Sequence, residues 1–268
     1  MHILERLFWH LKNEKNLLRW IVSRFLFYTG LGRIFTINCD LYKIRFFPSA
    51  LSLTKWLDPS YGNDDEKFLR RVLRPKDTVI DVGANIGTVS LASASLVGEK
   101  GRVIAFEPNL RTFKYLKKNI QLNRFNNVTP LNFVVGDRQG EVFFSDQRYD
   151  DQNKILPQGK QKVPMITLDE SVSTIQGCIR LLKVDVEGYE KFVFLGAQIT
   201  LARTDYIYFE VYDPHFIPLG YTTGELLQML KNYGFCLYRI DEEGKEIAID
   251  TDFIPEKCMN VLGKRIAN

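Results

Sequence analysis

Three carboxylates stand at the ends of successive apolar runs: Asp81 in VIDVGANIG, Glu107 in VIAFEPN and Asp137 in VVGD. Asp81 is followed by Gly83, Asn85 and Gly87, a glycine-spaced turn that leads into a helix-like segment. A dinucleotide turn reads GxGxxG, and its second glycine lets backbone approach a pyrophosphate. Here Asn85 takes that place and Thr88 takes the place of the third glycine. A carboxylate at Asp81 would repel phosphate but suits an ammonium group. Glu107 can accept hydrogen bonds from both hydroxyls of a ribose. Asp137 can accept from an adenine amino group. Ammonium, ribose and adenine together describe S-adenosylmethionine. Each acid alone also reads as a helix cap or a solvent-facing charge. Their succession at three strand ends favours the cofactor. The competing reading is a nicotinamide-dependent oxidoreductase. No tyrosine in the chain has a lysine four residues later, so the Tyr-x-x-x-Lys pair of short-chain dehydrogenases is absent.

A second group comes later. Lys183, Asp185 and Glu187 alternate in KVDVEG, and Glu210, Asp213 and His215 follow the next apolar run. Residues two apart in a strand share a face, so the first three project together. Methyl transfer from a sulfonium needs an in-line acceptor about 3 Å away in a water-poor site. A hydroxyl acceptor also benefits from a base or a cation. The candidate catalytic residues are therefore Asp185, Glu210, His215, Lys183 and Glu187. Plain readings stand beside them: an ion pair for Lys183, a helix cap for Glu187, an idle loop position for His215. The favoured chemistry is metal-free, with Asp185 or His215 as base. The alternative is a divalent cation such as Mg²⁺ on Asp185 and Glu210. DPHF at Asp213–Phe216 faintly matches the (N/D)PP(Y/F) motif of amino-methylating enzymes, but it lacks the second proline.

The elements that position these residues are legible as an alternation. Strands are expected at Thr78–Val82, Val103–Phe106, Val128–Val135, Ile179–Val184 and Tyr206–Val211. Helices are expected at Thr88–Val97, Leu110–Ile120, Tyr189–Leu195 and Thr222–Tyr233, the last with a capping box of Thr222 and Glu225. Phe235–Ile240 and Cys258–Gly263 close the sheet as a hairpin-like pair. Ser145–Val163 is polar and aperiodic and reads as a long functional loop. Such alternation implies an α/β fold, a mostly parallel sheet with helices on both faces. Ligands belong at the carboxyl ends of its strands.

Upstream, residues 34–47 read as a hairpin and Asp65–Leu73 as a helix. Residues 1–28 read as an amphipathic helix, with apolar positions from Ile3 to Tyr28 at helical spacing. Residues 1–33 carry the whole net charge of +4, so the remainder is neutral overall. A neutral body argues against a nucleic-acid partner. The basic helix reads either as a helical extension packed on the domain or a second subunit, which is preferred, or as a peripheral membrane contact. A homo-oligomer is a further expectation. The four cysteines form no CxxC pair, no apolar run spans a membrane, and no signal-peptide pattern stands at the N-terminus. A cytoplasmic, reducing compartment is the default, with membrane association as the variant.

The segments VIDVGANIG, VIAFEPN, ITLDES, IRLLKVDVEGYEKFVFLGA and IYFEV resemble the FkbM family of S-adenosylmethionine-dependent methyltransferases. The resemblance covers roughly residues 60–240, and KVDVEGYE is its most family-specific block. It implies a Rossmann-like class I methyltransferase with a seven-stranded sheet; residues 1–33 have no clear match in it, and the N-terminal helical extension and hairpin are read from the sequence pattern alone. The expected division is residues 1–33, a basic helical segment; residues 34–74, a hairpin and helix cover; and residues 75–268, the cofactor-binding domain. The resemblance further implies O-methylation of a sugar, glycan or other small metabolite. By motif, Asp81, Gly83, Asn85 and Gly87 line the cofactor, Glu107 holds its ribose, and Asp137 matches more loosely. A protein that binds S-adenosylmethionine without turnover is the alternative outside enzymology.

Overall fold

A computed structural model describes residues 17–147, 153–159, 161–241 and 243–266. The part of the expected N-terminal helix in residues 1–16 lies outside them. Helix α1 (Leu17–Thr29) leads through a 3-10 turn into the expected hairpin, β1 (Thr36–Asn38) and β2 (Lys43–Arg45). Helix α2 (Ala50–Leu57) starts at Ser49, whose side chain accepts from the Ser52 amide. Helix α3 (Asn63–Val72) carries Asp64, Asp65 and Glu66 in its first turn and Arg70 and Arg71 in its last, matching the helix dipole at both ends.

The nucleotide-type alternation then runs β3 (Thr78–Val82), α4 (Thr88–Val97), β4 (Arg102–Phe106), α5 (Leu110–Asn123) and β5 (Val128–Leu131). Next come β6 (Val134–Gly136), β7 (Gly140–Phe144), β8 (Ile155–Leu156), β9 (Gln161–Thr167) and the short helix α6 (Leu168–Ser171). The chain continues through β10 (Ile179–Val184), α7 (Glu190–Leu195), α8 (Gln198–Ala202) and β11 (Thr204–Val211). It closes with α9 (Asp213–Phe216), α10 (Thr223–Asn232), β12 (Phe235–Ile240), β13 (Glu246–Ala248) and β14 (Met259–Arg265). The Thr222–Glu225 capping box of α10 is formed in both directions.

The main sheet has eight strands in the order β13-β12-β14-β11-β10-β3-β4-β5. The five strands from β11 to β5 pair in parallel, and β14 runs antiparallel between β11 and β12. The expected seven strands are present, and β13 adds an eighth by folding back on β12. Two other expectations are corrected. Val128–Val135 is not one strand. It breaks after Leu131, where the Asn132 side-chain Nδ2 donates to the Glu107 and Pro108 carbonyls as the chain turns out of the sheet. Ser145–Val163 is not a plain loop. Its β8 and the start of β9 join a second sheet in the order β6-β9-β7-β8. Alternation is real there, since Val163 and Met165 are buried against Val134 and Phe144. It starts too late and is interrupted by Pro164.

Alternate residues of each central strand feed opposite cores, as Leu181 and Leu182 of β10 illustrate. One core includes Leu26, Phe27, Ile44, Phe46 and Phe68 together with Leu91 and Leu116. The N-terminal segments thus share a core with the sheet and cover its cofactor-type turn. Trp56 of α2 ties α1 down, donating to the Arg19 carbonyl at 3.4 Å while the Arg19 guanidinium lies over its ring.

Candidate active site

A cavity opens at the carboxyl ends of β3, β4, β10 and β11 and is roofed by α2 and α3. Its floor begins at the turn after β3. Gly83 takes a φ of +85°. A β-carbon there would sit 1.8 Å from the Asp185 carbonyl oxygen. Asn85 takes a φ of +50°, which asparagine tolerates better than most residues. Its amide donates to Glu107 Oε2 at 2.9 Å, and the Asn109 amide donates to Oε1 at 2.8 Å. Glu107 therefore staples the turn to the end of β4. The side chain lines the cavity, where a carboxylate suits a ribose diol.

Three residues expected on the cofactor lie off the cavity wall. Asp81 is wholly buried. It accepts from Ser90 Oγ at 2.5 Å and faces Lys183 Nζ at 3.5 Å. Its charge acts from beneath the site. Gly87 opens α4 at a φ of +101°, and a β-carbon there would come within 2.6 Å of Leu116 Cδ1, so its need is packing on α5. Asp137 pairs with Arg138 at 3.1 Å. The wall near it is apolar instead, built from Phe133, Val134, Val135 and Phe144. Such a slot suits a flat purine. Asn153, also in this wall, accepts from Ser145 Oγ and the Gln147 amide, while its Nδ2 is buried without a hydrogen-bond partner. Leaving a buried donor unpaired costs about 1–3 kcal/mol, which an acceptor nitrogen of the purine would offset.

At the other end, Lys183 Nζ lies 3.2 Å from Asp185 Oδ2 and donates to the Gly83 carbonyl at 3.1 Å. Burial alone would lower its pKa, but Asp185 and Asp81 outweigh burial and hold it above the ordinary lysine value. Lys183 is thus a fixed cation, and the ion-pair reading prevails over a lysine base. Burial, then the Asp185 charge, push Glu210 up to about 7. Glu187 holds a left-handed φ of +55° and lines the cavity. The next helix has Tyr189 as its N-cap, without a side-chain bond from that residue.

His215 stands behind this wall. Its Nδ1 lies 3.6 Å from Glu187 Oε2 and 3.8 Å from Glu210 Oε2. Burial, aided by Lys154, holds its pKa below the ordinary histidine value, so the ring is neutral at neutral pH. Glu187, Glu210 and His215 offer three ligand atoms within 4.8 Å of one another. A nitrogen and two carboxylate oxygens could hold a divalent transition ion or magnesium. The alternative metal pair of Asp185 and Glu210 is not the set gathered, because Asp185 faces Lys183.

Several cavity residues were not singled out in the sequence. Tyr208 Oη donates to Asp65 Oδ1 at 2.9 Å, tying α3 to β11. Lys55 and Glu66 form a buried pair at 3.5 Å. Behind the wall, Glu190 accepts from the Val186 amide at 2.9 Å and holds the loop that carries Asp185 and Glu187. Glu190 closes the KVDVEGYE block, which was the available signal. Asp65 and Glu66 read only as a helix start.

The mostly parallel sheet, with β14 and the edge strand β13 reversed, and a cavity at its carboxyl edge define a Rossmann-like methyltransferase fold. The fold matches a rRNA methylase described as such for Clostridium thermocellum, with a TM-score of 0.50 and 14% identity over 76% of this chain and 95% of that one. A methyltransferase from Aquifex aeolicus aligns at 20% identity and a TM-score of 0.45, over 78% of this chain and 94% of that one. The profile of the methyltransferase FkbM domain matches residues 81–237, more than half of the chain. The chain belongs to the FkbM methyltransferase family, and its methyl donor is S-adenosylmethionine. The hexuronic acid methyltransferase AglP of Haloferax volcanii is 31% identical over 141 residues, which are 51% of this chain and 56% of that protein. The match thus spans little more than half of that relative.

Proposed function

We propose that this methyltransferase acts on an oxygen of a sugar, within a glycan or another small metabolite. The observation that carries this reading is Glu210, a carboxylate on the cavity wall pushed up to about 7. A base is most effective when its pKa lies near the working pH. The named activity of the Haloferax relative, on a hexuronic acid, supports a sugar as acceptor.

S-adenosylmethionine, when bound, supplies an electrophilic methyl group on a sulfonium. Glu107 holds the ribose and Asn153 meets the purine. Val134, Val135 and Phe133 exclude water beside it. Glu210 takes the proton of the acceptor hydroxyl at a carboxylate oxygen. Asp185, fixed by Lys183, accepts from a neighbouring hydroxyl and orients the sugar. This assignment moves the base from Asp185 or His215 to Glu210, because Asp185 is already committed to an ion pair. A second reading is favoured by the buried, unpartnered Nδ1 of His215 between two carboxylates. There, a divalent cation on Glu187, Glu210 and His215 would lower the acceptor's pKa.

The four free cysteines, three of them exposed, support a reducing cytoplasmic setting. The test is an acceptor screen with neutral sugars and uronic acids, read as S-adenosylhomocysteine formed and the mass of the product. Methylated sugar is the expected result. Turnover on amines with none on any sugar would overturn the proposal.

A further inference from the structure

Helix α1 is apolar on both sides. Its inner side buries Trp20, Leu26 and Phe27. Its outer side presents Leu18, Ile21, Phe25 and Tyr28, at 72%, 48%, 58% and 57% exposure. These positions recur at helical spacing and form one stripe. Leu31 and Ile34 continue it at 56% and 80% exposure. A contiguous apolar surface of this kind marks a docking face rather than scattered exposure.

Beside the stripe lies a cationic groove. Arg33, in the 3-10 turn after α1, lines two adjoining hollows, one with Lys114 and Lys118 of α5, the other with Lys118 and Arg45. Arg45 Nη1 donates to the Arg33 carbonyl at 3.2 Å, which fixes the junction. Among the described residues, Asp146 is the single acid lining these hollows, and it is paired with Arg111 at 3.0 Å. Among the described residues, no carboxylate pairs with Arg33, Lys114 or Lys118. The neutral charge of residues 34–268 thus conceals a local excess of positive charge on α5.

We propose that the α1 stripe and the α5 groove together dock on an anionic lipid bilayer. Hydrocarbon at the interface takes the apolar side chains, and acidic headgroups meet the adjoining cations. Charge complementarity selects this occupant. A second copy meeting the same surface would set cations against cations, and a soluble anion would leave the stripe uncovered. Helix α2 links this face to the cavity: Trp56 holds α1, while Leu51, Thr54 and Lys55 line the site. Docking would therefore hold the cavity roof close to a membrane-borne acceptor. The inference is independent of which oxygen is methylated.

The experiment is co-sedimentation of the full chain with vesicles of phosphatidylcholine alone or with about a third phosphatidylglycerol. Expected is binding to the anionic vesicles that falls at least tenfold in the variant Leu18→Ser, Ile21→Ser, Phe25→Ser. Lys114→Glu with Lys118→Glu should weaken it severalfold and reduce its salt dependence. Thermal melting confirms that each variant is folded, and methyl transfer to a soluble acceptor should persist. No binding to either vesicle type would overturn the proposal. So would a dimer in sedimentation equilibrium that the serine variant dissolves without changing vesicle binding. Binding that depends on the lysines but not on the stripe would mean a soluble-anion site instead.

Discussion

Gly83 and Asp185 close on each other across neighbouring parallel strands: a β-carbon at Gly83 would lie 1.8 Å from the Asp185 carbonyl oxygen. One side is the glycine turn after β3 and the other carries the proposed catalytic acids, so the two walls of the cavity are fixed by a backbone contact. Gly83→Ala must separate the strand ends and also hold a φ of +85°. The combined penalty is about 3 kcal/mol or more. The expected result is a melting temperature roughly 10 °C lower and little remaining S-adenosylhomocysteine binding by calorimetry. A normal affinity and melting point would contradict the close approach.

Glu107 has two tasks, and they should separate experimentally. Glu107→Ala removes the acceptors of the Asn85 and Asn109 amides as well as the proposed ribose contacts. It should lose both stability and affinity. Glu107→Gln keeps one acceptor and should melt closer to the parent. Its affinity for S-adenosylhomocysteine should still fall by roughly ten- to a hundredfold, the value of hydrogen bonds to a charged group. Unchanged affinity in the folded glutamine variant would remove the ribose assignment.

Burial pushes Glu190 up to about 8 from an ordinary 4.5. Between those pH values the folded chain keeps a proton that the unfolded chain has released. Stability therefore falls as pH rises through this window and levels off above it. Over the whole window the loss is on the order of a few kcal/mol. Glu190→Gln keeps an acceptor for the Val186 amide and cannot ionise. It should match the parent near the bottom of that window and exceed it above the top, by denaturant melts at both ends. Parallel pH curves would refute a neutral buried Glu190.

Glu210 as base predicts that kcat/KM rises with pH along a limb centred near 7, because the carboxylate must be ionised to take a proton. Glu210→Gln should lose about a hundredfold or more. Exhaustive chelation should leave activity nearly unchanged. Activity that vanishes with chelator and returns with magnesium would recast Glu187, Glu210 and His215 as ligands.

Periodicity made the alternating core legible, because strands buried on both faces leave continuous apolar runs such as those ending at Val82, Phe106 and Val184. It could not show β13, a three-residue edge strand, or β9, where Pro164 interrupts the pattern. Counting to the strand ends picked out Glu107 and Glu210, which line the cavity. Asp81 lies beneath the wall instead, because a carboxylate near the end of a strand can turn into the core once a lysine from the neighbouring strand meets it. Asp137 lies off the wall for a different reason. The chain leaves the sheet at Asn132, so counting from β5 no longer tells which side chains face the cavity. Asn153 was out of reach, since only the second sheet brings it to the wall.

Strand β14 lies between β11 and β12, yet it follows both in the chain. β11 and β12 cannot zip together as they emerge during synthesis, since their shared neighbour comes later. Each waits with an open edge until residues 259–265 insert between them. That insertion also delivers Asn260 to the cavity wall. Closure of long sequence separations is slow. The acceptor end of the site is therefore assembled late, after the cofactor turn between β3 and β4 has had time to form. A nascent chain can thus acquire its cofactor-binding half well before it becomes a competent enzyme.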